Sequence, residues 1–116
     1  MGGKLALFAF NGEAMCFVHV LLNAIDMHEK GFEAKVIIEG TATRLIPEMA
    51  KPENLLFKLY EKAMSLKLIE GACRACAAKM GTLQAAEAQG IRLLDDMTGH
   101  PSIAGYLAQG YQVITF

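Results

Sequence analysis

Residues 4–31 read KLALFAFNGEAMCFVHVLLNAIDMHEKG. The continuous apolar run at 4–10 is typical of a strand that is buried on both faces, and Asn11-Gly12 breaks it. The spacing that follows predicts a helix over 13–30, with Glu13 in its first turn, Lys30 in its last turn and Gly31 as its stop. This stretch is therefore one strand–turn–helix unit.

The same alternation continues to the end of the chain. Short apolar runs predict further strands at 33–39, 68–72, 91–94 and 111–116. Helices are predicted at 41–50 with a kink or break at Pro47, at 55–67 with Asn54 as cap, at 74–80 up to Gly81, at 82–89, and at 100–110 with Pro101 in first position. Strands separated by helices predict a single α/β domain over 1–116, with five mainly parallel strands in a three-layer α/β/α sandwich.

The composition of the chain argues against several classes of protein. The chain has 116 residues, a net charge of −1, no tryptophan and 53% hydrophobic residues. No cluster of basic residues interleaves with aromatics, so nucleic-acid binding is not expected. Neither apolar run near the start, 5–10 or 14–25, is long enough to span a bilayer. Three cysteines are an odd number, which favours a reducing cytoplasmic location over a secreted disulfide scaffold.

The spacing of Cys73 and Cys76 predicts sulfur chemistry. They form the step Cys-Arg-Ala-Cys directly after the predicted third strand. Sites in parallel sheets lie beyond the carboxyl ends of the strands, so Cys73 is expected there as an exposed thiolate at the start of a helix, with Cys76 as helper or resolving thiol. The alternative is two small apolar side chains that pack a helix against the sheet.

Other ligands and cofactors have weaker support. One Cys-x-x-Cys supplies two zinc ligands, and Cys16, His19, His28 or His100 would join it only through the tertiary fold, so no metal is assigned. The chain lacks the glycine patterns of dinucleotide and P-loop sites, and no cofactor is assigned.

The loops at the same predicted edge of the sheet offer candidate anion-binding residues. These are Asn11 and Gly12 after the first strand, Thr41 after the second, and Arg74 between the cysteines. For Thr41 a helix-capping role is the competing interpretation.

The step from Cys73 to Cys76, followed by Gly81, resembles the DsrE/DsrF-like family, which includes TusD-type and YchN-type proteins. The opening strand that ends in Asn11-Gly12, the run VIIEG at 36–40 and the closing strand that ends at Phe116 are similar too. The resemblance implies an α/β/α sandwich with a five-stranded parallel sheet, assembled as trimers or hexamers. It also implies that the cysteine matching Cys73 carries a persulfide to or from a partner protein. Some relatives have an arginine before the matching glycine, where this chain has Met80.

Three functions stay open from the sequence. The first is a sulfur carrier or sulfurtransferase that uses Cys73 with the assistance of Cys76. The second is a non-enzymatic oligomeric module that binds a small anion or a partner protein. The third is a redox switch that forms a Cys73–Cys76 disulfide. The apolar stretch at 14–25 predicts more burial than one sheet face supplies, and so favours a homo-oligomer.

Overall fold

A computed structural model describes residues 2–116 as a five-stranded sheet with helices on both faces. The strands are β1 (Lys4–Ala9), β2 (Glu33–Ile38), β3 (Ile69–Cys73), β4 (Leu93–Leu94) and β5 (Gln112–Thr115). The helices are α1 (Ala14–Glu29), α2 (Leu45–Met49), α3 (Phe57–Ser65), α4 (Arg74–Met80), α5 (Leu83–Ala88) and α6 (Ile103–Ala108), and a 3₁₀ helix spans Gly40–Arg44. The three-layer α/β/α sandwich with a parallel sheet is confirmed.

The strand order β4-β3-β2-β1-β5 explains where the helices lie. All pairs are parallel. The chain moves in one direction from β1 to β4, and right-handed crossovers then keep the connecting helices on one face. The connection from β4 to β5 reverses direction, so α6 packs on the opposite face. There Tyr106 of α6 packs with Phe8 of β1 and Ile37 of β2.

The main core lies between the sheet and α1. Phe17, Val20 and Leu21 of α1 are buried with Leu7 and Val36 of the central strands. Burying each of these large side chains stabilises the fold by about 1.5–3 kcal/mol. This core fixes β1 and β2 at the centre of the sheet, and so fixes the loops that follow their carboxyl ends.

Several predicted boundaries were wrong in local detail. The predicted helix at 41–50 is in fact two helices, the 3₁₀ helix and α2, and the boundary between them lies before Pro47. Pro47 is in the first turn of α2, where the N–H that proline lacks would have no partner within the helix. Thr41 lies inside the 3₁₀ helix and does not cap it. Because Ser102 caps α6, Pro101 precedes that helix and does not begin it.

Asn54 lies three residues before the first residue of α3 and does not cap the helix. Its Oδ1 accepts a hydrogen bond from the N–H of Leu56 at 2.8 Å, and the helix begins at Phe57 and not at residue 55. Gly81 ends α4 with a positive φ of 74°, as the sequence predicted. Within residues 2–116, no helix has the length and apolar character needed to cross a membrane.

Candidate functional site

The register of β2 and β3 sets the geometry of the candidate site. Ile38 of β2 pairs with Ala72 of β3. The next residues, Glu39 and Cys73, therefore lie side by side where both strands end, on the face that α6 covers. The carboxyl edge of the sheet is where the sequence placed the site.

Cys73 is both the last residue of β3 and the N-cap of α4. Its Sγ accepts a hydrogen bond from the N–H of Cys76 at 3.4 Å. The first turn of α4 thus brings the second thiol back over the first. Neither cysteine forms a disulfide, and Cys16 lies apart on α1.

His100 reaches this pair from the turn after β4. Met97 and His100 exchange backbone hydrogen bonds across a tight turn whose central residues, Thr98 and Gly99, both have positive φ. The carbonyl of Gly99 accepts the N–H of Ala75 at 2.9 Å, which attaches the turn to α4. The turn therefore holds the imidazole above the thiols.

The resulting distances define a compact cluster of four side chains. Cys73 Sγ lies 3.1 Å and Cys76 Sγ lies 3.9 Å from His100 Nδ1. One ligating atom each from Glu39, Cys73, Cys76 and His100 lies within 4.8 Å of the other three. We call these four residues the thiol cluster. A cleft of about 260 Å³, lined by Glu39 and His100 with Phe10 and Met97, opens beside it.

Burial separates the roles of the two thiols. The side chain of Cys73 is fully buried, whereas Cys76 is partly exposed. Burial raises the pKa of the Cys73 thiol to about 12, with a further raising contribution from the neighbouring Cys76. The expectation that Cys73 is an exposed thiolate was therefore wrong. The expected effect of the helix start on this thiol is smaller than the cost of removing a thiolate from water.

Glu39 is the buried acid of the cluster. It is 6% exposed, and burial raises the pKa of its carboxyl group to about 7, partly offset by a hydrogen bond with Cys73. Among residues 2–116, no lysine or arginine forms an ion pair with it. Sequence reasoning did not include Glu39, although a carboxylate directly after a central strand was a usable signal.

The candidate anion-binding residues have contacts within the chain. Asn11 Oδ1 accepts the N–H of Glu13 at 2.8 Å, and Thr41 Oγ1 accepts the N–H of Gly12 at 2.9 Å. The Thr41 hydroxyl donates in turn to the carbonyl of Phe10 at 3.2 Å. These contacts confirm that the two loops meet at one edge, but an anion would have to displace them.

Arg74 pairs with an acidic side chain of the chain itself. Its Nε lies 2.9 Å from Asp95 Oδ2, in a half-exposed ion pair that joins α4 to the loop after β4. A larger cleft of about 410 Å³ includes Asp95 in its lining, together with Lys35 and Glu70, whose charged groups are 3.2 Å apart. The smaller cleft opens beside the two thiols and the imidazole, so we place the candidate site there.

Comparisons with known proteins give a family without a known activity. No protein-family model matches the chain. An uncharacterized protein from Archaeoglobus fulgidus is 43% identical over 61 residues, which are 53% of this chain and 98% of that protein. Uncharacterized protein MJ0733 from Methanocaldococcus jannaschii is 31% identical over 97 residues, which are 84% of this chain and 77% of that protein.

A solved structure has the same fold. It is that of BT1422, a conserved protein of unknown function from Bacteroides thetaiotaomicron, which superimposes with a TM-score of 0.74 over 97% of this chain and 94% of that chain. At 14% sequence identity, this likeness supports the architecture alone. The two archaeal relatives carry the family assignment: the chain belongs to the same family as MJ0733 of M. jannaschii and the A. fulgidus protein.

Proposed function

We propose that this protein is a sulfur carrier that takes up sulfane sulfur, the outer atom of a persulfide, on the Cys73–Cys76 pair. One observation carries the proposal: a partly exposed thiol, a buried thiol and an imidazole converge within 4.8 Å beside an open cleft. A thiol with a base in hydrogen-bond reach is the usual arrangement for nucleophilic chemistry.

Sulfur enters at Cys76, because Cys73 is closed to solvent. The Cys76 thiolate attacks the outer sulfur of a donor persulfide, R–S–SH. The new bond forms between Cys76 Sγ and that sulfur, the S–S bond of the donor breaks, and the donor leaves as a thiolate that takes up the proton lost by Cys76. The donor is a persulfide-bearing protein or an inorganic polysulfide.

Cys73 receives the sulfur in a second step. His100 Nδ1, 3.1 Å from Cys73 Sγ, takes the thiol proton, and Cys73 attacks the outer sulfur of the Cys76 persulfide. Cys76 leaves as a thiolate and recovers the proton from the imidazolium, 3.9 Å away. The step breaks one S–S bond, at Cys76, and forms another of the same kind, at Cys73. It moves the sulfur to the cysteine that matches the persulfide position of the DsrE/DsrF-like family.

We also propose that the chain belongs to the broader DsrE/DsrF-like family and lies in the cytoplasm. The same resemblance implies that it forms a homo-oligomer, either a trimer or a hexamer. Met15 and Leu22 of α1 remain exposed after the helix has packed on the sheet, which supports an interface on that face. Light scattering after size-exclusion chromatography should give a multiple of 12.6 kDa, and a monomer at high concentration would reject the oligomer.

Intact-mass spectrometry tests sulfur loading. Metal-free, reduced protein is incubated with polysulfide or with a cysteine desulfurase and cysteine, and the gain of sulfur mass is followed in time. Cys76→Ser should load at least about tenfold more slowly than the unmodified protein. In His100→Ala, peptide mapping by tandem mass spectrometry should find the sulfur on Cys76 and none on Cys73. Cys16→Ser is the matched control and should load normally. No sulfur gain, or loading of Cys76→Ser at the normal rate, would reject the proposal.

A dithiol redox switch is the second candidate, and the proximity of the two sulfurs favours it. If Cys73 attacks the inner sulfur of a Cys76 persulfide, a Cys73–Cys76 disulfide forms and hydrogen sulfide leaves. The two outcomes differ in mass, because the disulfide lacks the added sulfur. Quantitative conversion to disulfide under the loading conditions would favour the switch over the carrier.

A further inference from the structure

We infer that the thiol cluster is a binding site for one zinc-class divalent cation, with Cys73, Cys76, His100 and Glu39 as its ligands. This site stands on geometry and donor chemistry alone, and it does not depend on sulfur transfer. It goes beyond the proposed function because it gives Glu39 a role as a metal ligand, whereas the Glu39 carboxylate takes no part in sulfur transfer.

The donor spacing fits a tetrahedral ion. Zinc–sulfur bonds of about 2.3 Å and zinc–nitrogen or zinc–oxygen bonds of about 2.0 Å place tetrahedral donors roughly 3.3 to 3.8 Å apart. The four donors here lie within 4.8 Å of one another, and the two sulfur–imidazole distances are 3.1 and 3.9 Å. Side-chain movements of about 1 Å would therefore complete the coordination.

The chemistry of the donors selects the class of ion. Two thiolates and an imidazole favour zinc and related transition metals over magnesium or calcium, which prefer all-oxygen sites. Glu39 is buried and has no ion-pair partner among the described residues, so a cation beside it would compensate a charge that is otherwise costly to bury.

The surroundings meet the other requirements of a metal site. The N–H of Cys76 already donates to Cys73 Sγ, the kind of supporting hydrogen bond that orients a thiolate ligand. The cleft of about 260 Å³ is lined by Glu39 and His100, and so provides a path from solvent to two of the ligands. The ligands lie in segments that follow three different strands, which explains why the sequence shows only the two ligands of the Cys-x-x-Cys step.

Cobalt titration of the reduced protein is the first test. One Co²⁺ per chain should produce thiolate charge-transfer absorption and the visible bands of a tetrahedral ion, and Zn²⁺ should displace it while Mg²⁺ should not. Cys73→Ala, Cys76→Ala and His100→Ala should each weaken binding by at least about 100-fold, and Glu39→Gln by about 10- to 100-fold. Cys16→Ser should bind Co²⁺ as the unmodified protein does.

Alkylation of the unmodified protein is a second test that needs no variant to fold. Zn²⁺ should protect Cys76, the partly exposed thiol of the cluster, from iodoacetamide and leave the rate at Cys16 unchanged. Absence of a stoichiometric Co²⁺ spectrum, or equal protection of Cys76 and Cys16, would overturn the site. Because loading with sulfur is measured on chelator-treated protein and metal binding is measured without a sulfur donor, either proposal can fail while the other stands.

Discussion

The turn that carries His100 offers a sharp perturbation of the thiol cluster. Gly99 has a φ of 90°, and a Cβ added there would lie 3.4 Å from the Cβ of Ala75 in the first turn of α4. Gly99→Ala should therefore strain the turn, chiefly through the positive φ, and bring a new methyl group into contact with α4. His100 follows directly in the chain, so its Nδ1 should move relative to both sulfurs.

The size of the effect on stability follows from the backbone. A left-handed conformation costs a non-glycine residue roughly 1–2 kcal/mol. At about 2.1 cal/mol/K per residue, the unfolding entropy of a chain of this length is about 0.24 kcal/mol/K, so the Tm should fall by about 4–8 °C. Gly110→Ala is the matched control, because Gly110 has the same φ of 90° and no heavy atom within 4 Å of an added Cβ.

Two measurements distinguish the effect of backbone strain on stability from the effect of moving His100 on metal binding. Thermal unfolding followed by circular dichroism should give similar losses of Tm for Gly99→Ala and Gly110→Ala. Co²⁺ affinity should fall by about 10- to 100-fold in Gly99→Ala only, as expected for a residue that positions a ligand. Equal Co²⁺ affinity in the two variants would refute the idea that this turn positions His100.

Three further predictions concern the site and the core. Zn²⁺ should reduce sulfur loading in proportion to the fraction of chains that hold the ion, because coordinated thiolates cannot attack a donor. A chelator should restore the loading. Undiminished loading at full Zn²⁺ occupancy would contradict a shared site. Leu21→Ala should lower the free energy of unfolding by about 2.7–5 kcal/mol in urea titrations, since Leu21 is fully buried, whereas Leu55, 96% exposed, should cost at most about 0.5 kcal/mol when replaced by alanine. Burial raises the pKa of Tyr60, Tyr106 and Tyr111, so the folded state favours the neutral phenols, and the contribution of these three tyrosines to stability should be constant below about pH 10 and decrease above it. Tyrosinate absorbance that rises before unfolding would argue against this burial.

The fold was predictable because each element has a local signal. The continuous apolar run in β1 and the stop at Gly31 after α1 fix one unit, and the same pattern recurs along the chain. The predicted fourth strand, 91–94, is longer than the observed β4, because Ile91 is apolar but pairs with no neighbouring strand. Its side chain packs into the main core from the loop after α5. Apolar character predicts burial, and hydrogen-bonded pairing depends on where the neighbouring strand ends.

The site was only half predictable. Cys73 and Cys76 are close in sequence, and a helical turn brings their sulfurs together whatever the rest of the fold does. Glu39 and His100 are 34 and 27 residues from Cys73 in the chain, and only the pairing of β2 with β3 and the turn after β4 bring them into the cluster. Burial of Cys73 was also out of reach, because it depends on how the turn at 97–100 covers the end of β3.

The order in which sulfur appears on the two cysteines tests the central claim most directly. Unmodified, metal-free protein would be exposed to polysulfide, quenched at intervals and mapped by tandem mass spectrometry for added sulfur at each cysteine. The geometry predicts sulfur first at Cys76 and then at Cys73, with none at Cys16. Sulfur that appears first at Cys73, or at all three cysteines alike, would contradict a relay through the thiol cluster.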